Sequence, residues 1–308
     1  MSEEIALEKR KPVKLSVGGT LFLIIHLLPI LAIWTDVTMF DWLLCLFFYY
    51  LRMFFVTGVY HRYFAHRTYK TSRWFQFLLA CGAQTTIQKG ALWWAAHHRG
   101  HHKHSDTPSD PHSMKLYGFW YSHVGWIIGP DYNETHYDQI KDYAKYPELV
   151  WINKFHWIPP LIMGVATVFI GAKVNSGDWL NFEAGWSTLY IGFFLSTAIL
   201  FHGTFSINSI KHYFGTKRYD TGDESKNNLI LALVTMGEGW HNNHHYYPAA
   251  TRQGFFWWEV DFTYYILKLL SFVGLVWDIQ EVPDHIKHSK NIKEAMELRR
   301  ISLEKKAA

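Results

Sequence analysis

Histidines at short, repeated spacings are the most distinctive chemical feature of the sequence, and imidazole is a common ligand of zinc, copper and iron. Residues three and four apart share one face of a helix, so the pattern His-x-x-His-His brings three imidazoles together. This pattern occurs twice, in HRGHH and in HNNHH. The histidines of the two copies are His98, His101, His102, His241, His244 and His245. Each copy therefore predicts a metal-binding face on a helix.

A further pair, His61 and His66 in HRYFAH, has a spacing of five. That spacing turns two side chains apart by roughly 140° on a regular α-helix, so we expect the pair to converge only because a helix ends there. Asn208 and His212 in NSIKH have a same-face spacing. Eight or nine imidazoles exceed what one metal can take, so two metals are implied, with Asn208 reaching one of them directly or through water. His97 shares a face with His101, and local geometry leaves its role open.

Acidic residues near these histidines could orient the imidazoles by hydrogen bonding. Glu238 precedes His241 in the ExxH pattern of di-iron helical bundles, but that fold uses two such motifs and further glutamates, whereas one is present here. We therefore interpret Glu238, Asp106 and Asp110 as partners of ligating histidines. The sequence has no HExxH zinc-protease motif, and two cysteines cannot build a four-thiolate site.

The elements that must position these residues are membrane helices. The chain has 15 Trp and 18 Tyr, residues enriched at membrane interfaces. Four apolar runs are long enough to cross a bilayer. They lie at 15–34, 40–59, 157–172 and 186–206.

The basic residues predict how these spans are oriented, because loops on the cytoplasmic side are enriched in Lys and Arg. Lys9, Arg10, Lys11 and Lys14 precede the first span, eleven Lys/Arg lie in 60–156, and thirteen follow the fourth span. The connections 35–39 and 174–185 have none. The sequence thus predicts one all-α integral membrane domain over 1–308. It has four transmembrane helices, both termini in the cytoplasm, and a helical cytoplasmic cap made of 60–156 and 207–308 that holds the histidine-rich site.

With these motifs in view, the sequence resembles the membrane fatty acid desaturases, most closely the stearoyl-CoA (delta-9) branch. The resemblance covers roughly 40–280 and includes HRYFAHRTYK, HHRGHHKHSD, DPHS, GFWYSHVGW, NSIKHYFGTKRYD and GEGWHNNHHYYP. It implies two Fe²⁺ ions, with Asn208 acting through a water. The implied ligand positions are His61, His66, His98, His101, His102, His212, His241, His244 and His245.

The resemblance also implies a mushroom-like helical fold with a kinked apolar tunnel for the acyl chain, lined near the metals by Gln88 and Trp94. The position of His97 is not a ligand in the family. Two basic sites that bind coenzyme A phosphates in animal relatives are changed here, to Ala96 and to the segment 115–117. Coenzyme A is the first expectation for the acyl carrier, and an acyl lipid is the second.

The activity so implied is the oxygen-dependent introduction of a cis double bond into a long-chain acyl-CoA at the delta-9 position. Electrons would come from a partner, a ferredoxin or cytochrome b5 with its reductase, because the chain has no haem-binding segment and no GxGxxG fingerprint. We expect a bilayer and no nucleic acid as partners, and a bacterial inner membrane rather than the endoplasmic reticulum. A di-iron membrane hydroxylase and a metal transporter are the alternatives.

Overall fold

The computed structural model describes residues 14–307, which are mostly helical. Residues 1–13 and 308 lie outside this range, and with them the basic residues Lys9, Arg10 and Lys11 that contribute to the predicted orientation. Four helices are long and apolar enough to cross a membrane, which confirms the predicted number of spans. They are Val17–Trp34, Met39–Ala65, Ile158–Ser176 and Glu183–Tyr213.

The second and fourth of these helices are longer than the predicted spans 40–59 and 186–206. Each continues beyond its apolar run into a polar stretch that carries metal-ligand candidates, so the change in composition does not mark the end of the helix. His61 lies inside the second helix, before its end at Ala65, and His212 lies inside the fourth. The histidines are therefore fixed by the same backbone that crosses the membrane.

The second helix is α-helical over Met39–Phe54 and π-helical over Phe55–Ala65. A π-helix joins residues five apart by hydrogen bonds, and the N–H of His66 donates to the carbonyl of His61 at 3.0 Å. The spacing that would separate these side chains on an α-helix thus brings them close here. The pair converges as expected, with ring centroids 4.7 Å apart, and the helix ends beside His66; the π-helical turn, which the sequence did not indicate, contributes to this convergence.

The fourth helix is built from Glu183–Ser187, a π-helical stretch Thr188–Leu195, Ser196–Asn208 and Ile210–Tyr213. Small residues allow the third helix to approach it, because a Cβ at Gly171 would lie 2.2 Å from Thr188 Oγ1. The same hydroxyl donates to Asp41 Oδ1 on the second helix at 2.5 Å. These contacts lock three membrane helices together at the end away from the histidines.

Arg52 of the second helix is fully buried against the fourth. Its guanidinium donates to Thr197 Oγ1 at 2.6 Å and to Ser196 Oγ, and its charge lies 5.3 Å from the ring centroid of Phe193. Hydroxyls, backbone carbonyls and ring faces thus surround the charge, as expected for an intramembrane arginine that faces protein.

Shorter helices make up most of the predicted cap. The strand Lys70–Thr71 pairs antiparallel with Val276–Trp277, with Thr71 opposite Val276. The other elements are Arg73–Gln84, Ala91–His104, Met114–Tyr117, Tyr121–Gly125, Trp126–Ile128, Tyr137–Ile140, Lys141–Ala144, Pro147–Lys154, Leu229–Val234, His241–Tyr246, Phe262–Phe272, Asp284–Lys287 and Ile292–Ala307.

The helix Ala91–His104 carries the first His-x-x-His-His motif, and its beginning is fixed by Asn153. Asn153 Oδ1 accepts from the backbone N–H groups of Leu92 and Trp93, both at 3.0 Å. These N–H groups lie in the first turn of the helix and have no hydrogen-bond partner within it. A Cβ at Gly90 would come within 2.0 Å of the same oxygen. This helix therefore starts at a defined point and presents its histidines in a defined register.

We predict that Arg52→Lys lowers the free energy of unfolding by about 1–3 kcal/mol, because one ammonium cannot match the forked contacts of a guanidinium and leaves a buried hydroxyl without its partner. Thermal unfolding in detergent measures the effect. Arg73→Lys is the matched control, since the Arg73 side chain is 63% exposed and pairs with Glu148. Equal, small shifts for both variants would refute this role of Arg52.

Candidate metal centre

Five histidines from three parts of the chain meet at one point. The Nε2 atom of His66 lies 2.9 Å from that of His98, and the Nε2 atom of His244 lies 3.0 Å from that of His61 and 3.1 Å from that of His102. One ring nitrogen from each of the five falls within 4.8 Å of all the others. We call this group the five-histidine cluster.

A second group, the four-histidine cluster, consists of His101, His212, His241 and His245. The Nε2 atoms of His212 and His241 are 3.3 Å apart, and the ring centroids of His241 and His245 are 4.2 Å apart. His101 completes the group, 5.6 Å from His245 between ring centroids. The ring of His102 lies 4.6 Å from that of His245, so the two clusters adjoin.

The geometry of both clusters suits metal ions. Two nitrogens that each bind one ion at about 2.1 Å and at a right angle lie about 3.0 Å apart, close to the separations seen here. Neutral imidazoles whose Nε2 lone pairs face one another repel unless a proton or a cation lies between them. His245 Nε2 is also buried without a hydrogen-bond partner among the described residues. The nine imidazoles thus offer two adjoining sites to metals that favour nitrogen ligands.

Carboxylates orient three of these rings. His61 Nδ1 lies 2.8 Å from Glu238 Oε2, and His101 Nδ1 lies 3.0 Å from Asp110 Oδ1. His245 Nδ1 lies 2.5 Å from Asp223 Oδ2. An Nδ1–H that donates to a carboxylate leaves the Nε2 lone pair free for a metal and makes the ring more basic. Both clusters contain such a ring.

The structure places one predicted orienting acid elsewhere. Asp106 accepts from Ser113 Oγ at 2.8 Å and from the backbone N–H of Glu224 at 3.1 Å, so it joins two loops behind the site. Asp223, which belongs to none of the histidine motifs, makes a carboxylate contact to His245. No spacing links Asp223 to a histidine motif, because the chain brings the two together only through its folded path.

Charge and burial prepare the imidazoles for metal binding. Burial, reinforced by the neighbouring imidazoles, lowers the pKa of His98 and of His102 well below the usual value, so both rings are neutral. Burial alone would raise the pKa of Asp110 and of Asp223, but contact with His101 and His245, respectively, outweighs it and lowers both pKa values. His98 and His102 are therefore deprotonated before a metal binds, as metal binding requires.

A buried ionic network contacts the five-histidine cluster through Glu238, which lies beside His61. Burial would raise the pKa of Glu238, but His61 and the cations Arg62 and Lys211 lower it. Arg62 reaches Glu238 Oε1 at 3.3 Å and Asp261 Oδ1 at 2.9 Å. Gln253 Nε2 also donates to Glu238 Oε2, at 3.0 Å. Removing one member of such a network leaves an uncompensated charge in a buried place.

A cavity of about 430 Å³ opens beside both clusters, within the size range of small-molecule sites. Gln88 and Trp94 line it, together with Asn208 and with the ligand candidates His61, His98 and His241. The Trp94 ring stacks on His98 with centroids 4.9 Å apart, and Gln88 Nε2 donates to Thr204 Oγ1 at 2.9 Å. Much of the remaining lining is apolar, so the cavity can hold a hydrocarbon chain close to the metals.

Two further histidines lie near the clusters. His97 also lines the cavity, but its Nε2 lies 3.0 Å from the backbone carbonyl of Glu134 and its ring packs against Trp93. His112 packs against His101, with ring centroids 4.3 Å apart, and no sequence spacing indicated this contact. His97 is thus engaged with backbone, whereas His112 borders the four-histidine cluster.

These features define the class: a membrane protein with two adjoining histidine clusters suited to metal ions and an apolar cavity beside them. The chain belongs to the fatty acid desaturase family, whose model matches residues 39–287. The family-level resemblance inferred from the histidine motifs is thereby confirmed. Family membership makes the protein an oxidoreductase of lipid metabolism.

Its relatives differ in acyl carrier and in product. The chain is 33% identical over 228 residues to an sn-1 stearoyl-lipid 9-desaturase of Anabaena variabilis, covering 73% of this chain and 78% of the relative. It is 32% identical over 246 residues to an acyl-CoA 5-desaturase of Anemone leveillei, covering 77% and 70%. It is 34% identical over 236 residues to a hex-5-enoyl-[acyl-carrier protein] acetylenase of Moorena producens, covering 71% and 70%.

We predict that Asp223→Asn weakens metal binding about 10–100-fold in the four-histidine cluster, because His245 loses the carboxylate that orients it. Metal content per chain after dialysis against graded chelator concentrations measures the loss. Asp220→Asn, an exposed acid three residues away, is the control. The assigned role of Asp223 fails if both variants retain metal equally.

The two neighbouring histidines of HHRGHH should behave differently on substitution. We predict that His98→Ala empties the five-histidine cluster, whereas His97→Ala leaves the metal content unchanged, because His97 bonds to a carbonyl. Elemental analysis of the purified variants checks this. Loss of metal from His97→Ala would make His97 a ligand.

Proposed function

We propose that the protein introduces a cis double bond into a long-chain fatty acyl group at the delta-9 position. In the balanced reaction, the –CH2–CH2– unit, O2, two electrons and two protons give –CH=CH– and two waters. The observation that carries this proposal is the apolar cavity that reaches both histidine clusters. Dehydrogenation of an unactivated chain needs an oxidant stronger than any side chain, so the chemistry must come from bound metals and oxygen.

We propose two iron ions as the cofactor, one in each histidine cluster. His61, His66, His98, His102 and His244 would hold one, and His101, His212, His241 and His245 the other, with Asn208 acting through a water. When bound there and reduced by an external donor, two irons would supply the activation of O2. The all-nitrogen donor set, without thiolates, and the near-3 Å spacing of Nε2 atoms support this assignment.

In this proposal the chain's own residues position the substrate and keep water out. Trp94, held between Tyr60 and His98, would press the acyl chain toward the clusters. Gln88 and Thr204 satisfy each other by hydrogen bonding, so they present little unpaired polarity to a hydrocarbon. Holding one C–C bond against the metals accounts for a single product position.

The acyl carrier has two candidates. Coenzyme A, as in stearoyl-CoA delta-9 desaturases, is the first that the motifs indicate. An acyl lipid is the second, and one observation favours it: among the described residues that line the cavity, Lys89 is the only Lys or Arg. Its ammonium is already bound to Asn133 Oδ1 at 2.7 Å and packs on Trp93. A carrier with several phosphates would find few cations there.

We further propose that 1–308 works as one desaturase domain, with both termini and the segments 60–156 and 207–308 on the cytoplasmic side of a bacterial inner membrane. The excess of Lys and Arg in those segments supports this orientation. A ferredoxin or cytochrome b5, with its reductase, would deliver electrons there.

Product analysis tests the proposed function. We predict that expression in a desaturase-deficient host, with a competent electron donor, yields a new alkene only in air, and that mapping places its double bond at position 9. The paired variant His98→Ala/His241→Ala should yield none. An alcohol heavier than the substrate by one oxygen would support a hydroxylase instead. Metal uptake with no oxygen-dependent change in lipids would support a transporter.

A further inference from the structure

The first membrane helix forms one wall of the cavity. Five of its residues line it, namely Val17, Gly18, Leu21, Phe22 and Ile25. Yet only 17% of the segment Val17–Trp34 is buried, against 56% for the apolar window of Met39–Ala65. A single helix therefore separates the cavity from its surroundings, and around a membrane-crossing helix those surroundings are lipid.

This helix is fixed at its two ends. The backbone N–H of Ser16 donates to the carbonyl of Ile128 at 3.0 Å, and Ala32 is buried against Ile191 of the fourth helix. Between these points the helix changes from α to 3₁₀ geometry around Pro29. Such a change within a helix is a common position for a hinge.

Between its fixed ends, side chains join the first helix to the fourth at one level. The Phe22 ring lies 5.3 Å from Phe201 and 6.1 Å from Phe205 between centroids. His26 Nε2 lies 3.1 Å from His202 Nε2. In the part of the chain that the structure describes, this is the only side-chain hydrogen bond between the two helices.

The direction of this hydrogen bond follows from its neighbours. His26 Nδ1 lies 2.7 Å from the carbonyl of Phe22, which can only accept, so Nδ1 carries the proton and Nε2 accepts from His202. His202 Nδ1 lies 3.0 Å from His123 Nε2, and His123 Nδ1 lies 2.9 Å from Ser209 Oγ. Three imidazoles thus form a continuous hydrogen-bonded chain. Two of the three imidazoles, those of His26 and His202, belong to the first and fourth membrane helices.

We infer that the seam between the first and fourth helices, fastened by His26 and His202, is a lateral entrance through which the acyl chain of a membrane lipid reaches the cavity. This inference rests on the proposed function, since desaturation is the reaction that the acyl chain would undergo in the cavity. Opening requires the loss of one hydrogen bond and of the packing of Phe22, Ile25 and the His26 ring against the fourth helix, while both ends of the first helix stay in place. The occupant is a lipid because the helix faces lipid and its cavity face is apolar.

The experiment uses the full chain in lipid nanodiscs that contain phosphatidylcholine with a diazirine on its acyl chain. His26→Cys and His202→Cys are combined in a Cys45→Ala/Cys81→Ala background and joined by a short bifunctional methanethiosulfonate. After illumination, mass spectrometry maps the label on Ile87, Gln88, Lys89, Trp93 and Trp94, which line the cavity. We predict that bridging abolishes the labelling and that dithiothreitol restores it. Undiminished labelling of bridged protein would overturn the inference.

Control variants distinguish an effect of bridging the seam from a general disruption of the fold. Each single-cysteine variant with a monofunctional reagent should label as the unbridged protein does. His202→Ala should speed labelling about threefold, the average effect of one hydrogen bond between membrane helices, and slower labelling would contradict the seam. Because labelling needs no turnover, a protein that admits lipid but makes no alkene would refute the proposed function and leave the entrance intact.

Discussion

The structure depends on one electrostatic constraint: nine imidazoles are gathered into two adjoining clusters. In the five-histidine cluster, lone pairs at about 3 Å repel one another, and burial, which lowers the pKa of His98 and of His102, keeps protons from relieving that repulsion. Cations satisfy such sites, so the clusters are stable arrangements chiefly for a metal-loaded protein. The carboxylates of Glu238, Asp110 and Asp223 then serve to hold the rings in a fixed orientation while the total charge stays low.

The second and fourth membrane helices position several of these histidines. The second helix becomes π-helical over the stretch that ends beside His66, which moves residues five apart onto a common face. The fourth helix runs past its apolar span and delivers Asn208 and His212 to the same place. Arg52 and Asp41 fasten these helices farther along. The chemistry at one end of the bundle therefore relies on polar packing inside the membrane.

Much of the candidate site could be predicted from the sequence, because the repeated His-x-x-His-His spacing places its three side chains on one face of an α-helix. The number of membrane helices followed from apolar runs. The π-helical turn at His61 could not be foreseen from α-helical geometry. Asp223, Gln253 and His112 escaped prediction because they reach the site through the folded path of the chain, and no local spacing records that. Helix ends were misjudged where polar residues continue a helix beyond its apolar part.

The central claim is that each histidine cluster holds one iron ion. Anomalous scattering from crystals of the iron-loaded protein, measured on both sides of the iron absorption edge, tests it most directly. The account predicts two iron peaks, one among the Nε2 atoms of His61, His66, His98, His102 and His244 and the other among those of His101, His212, His241 and His245. A single peak, or iron bound outside these clusters, would contradict it.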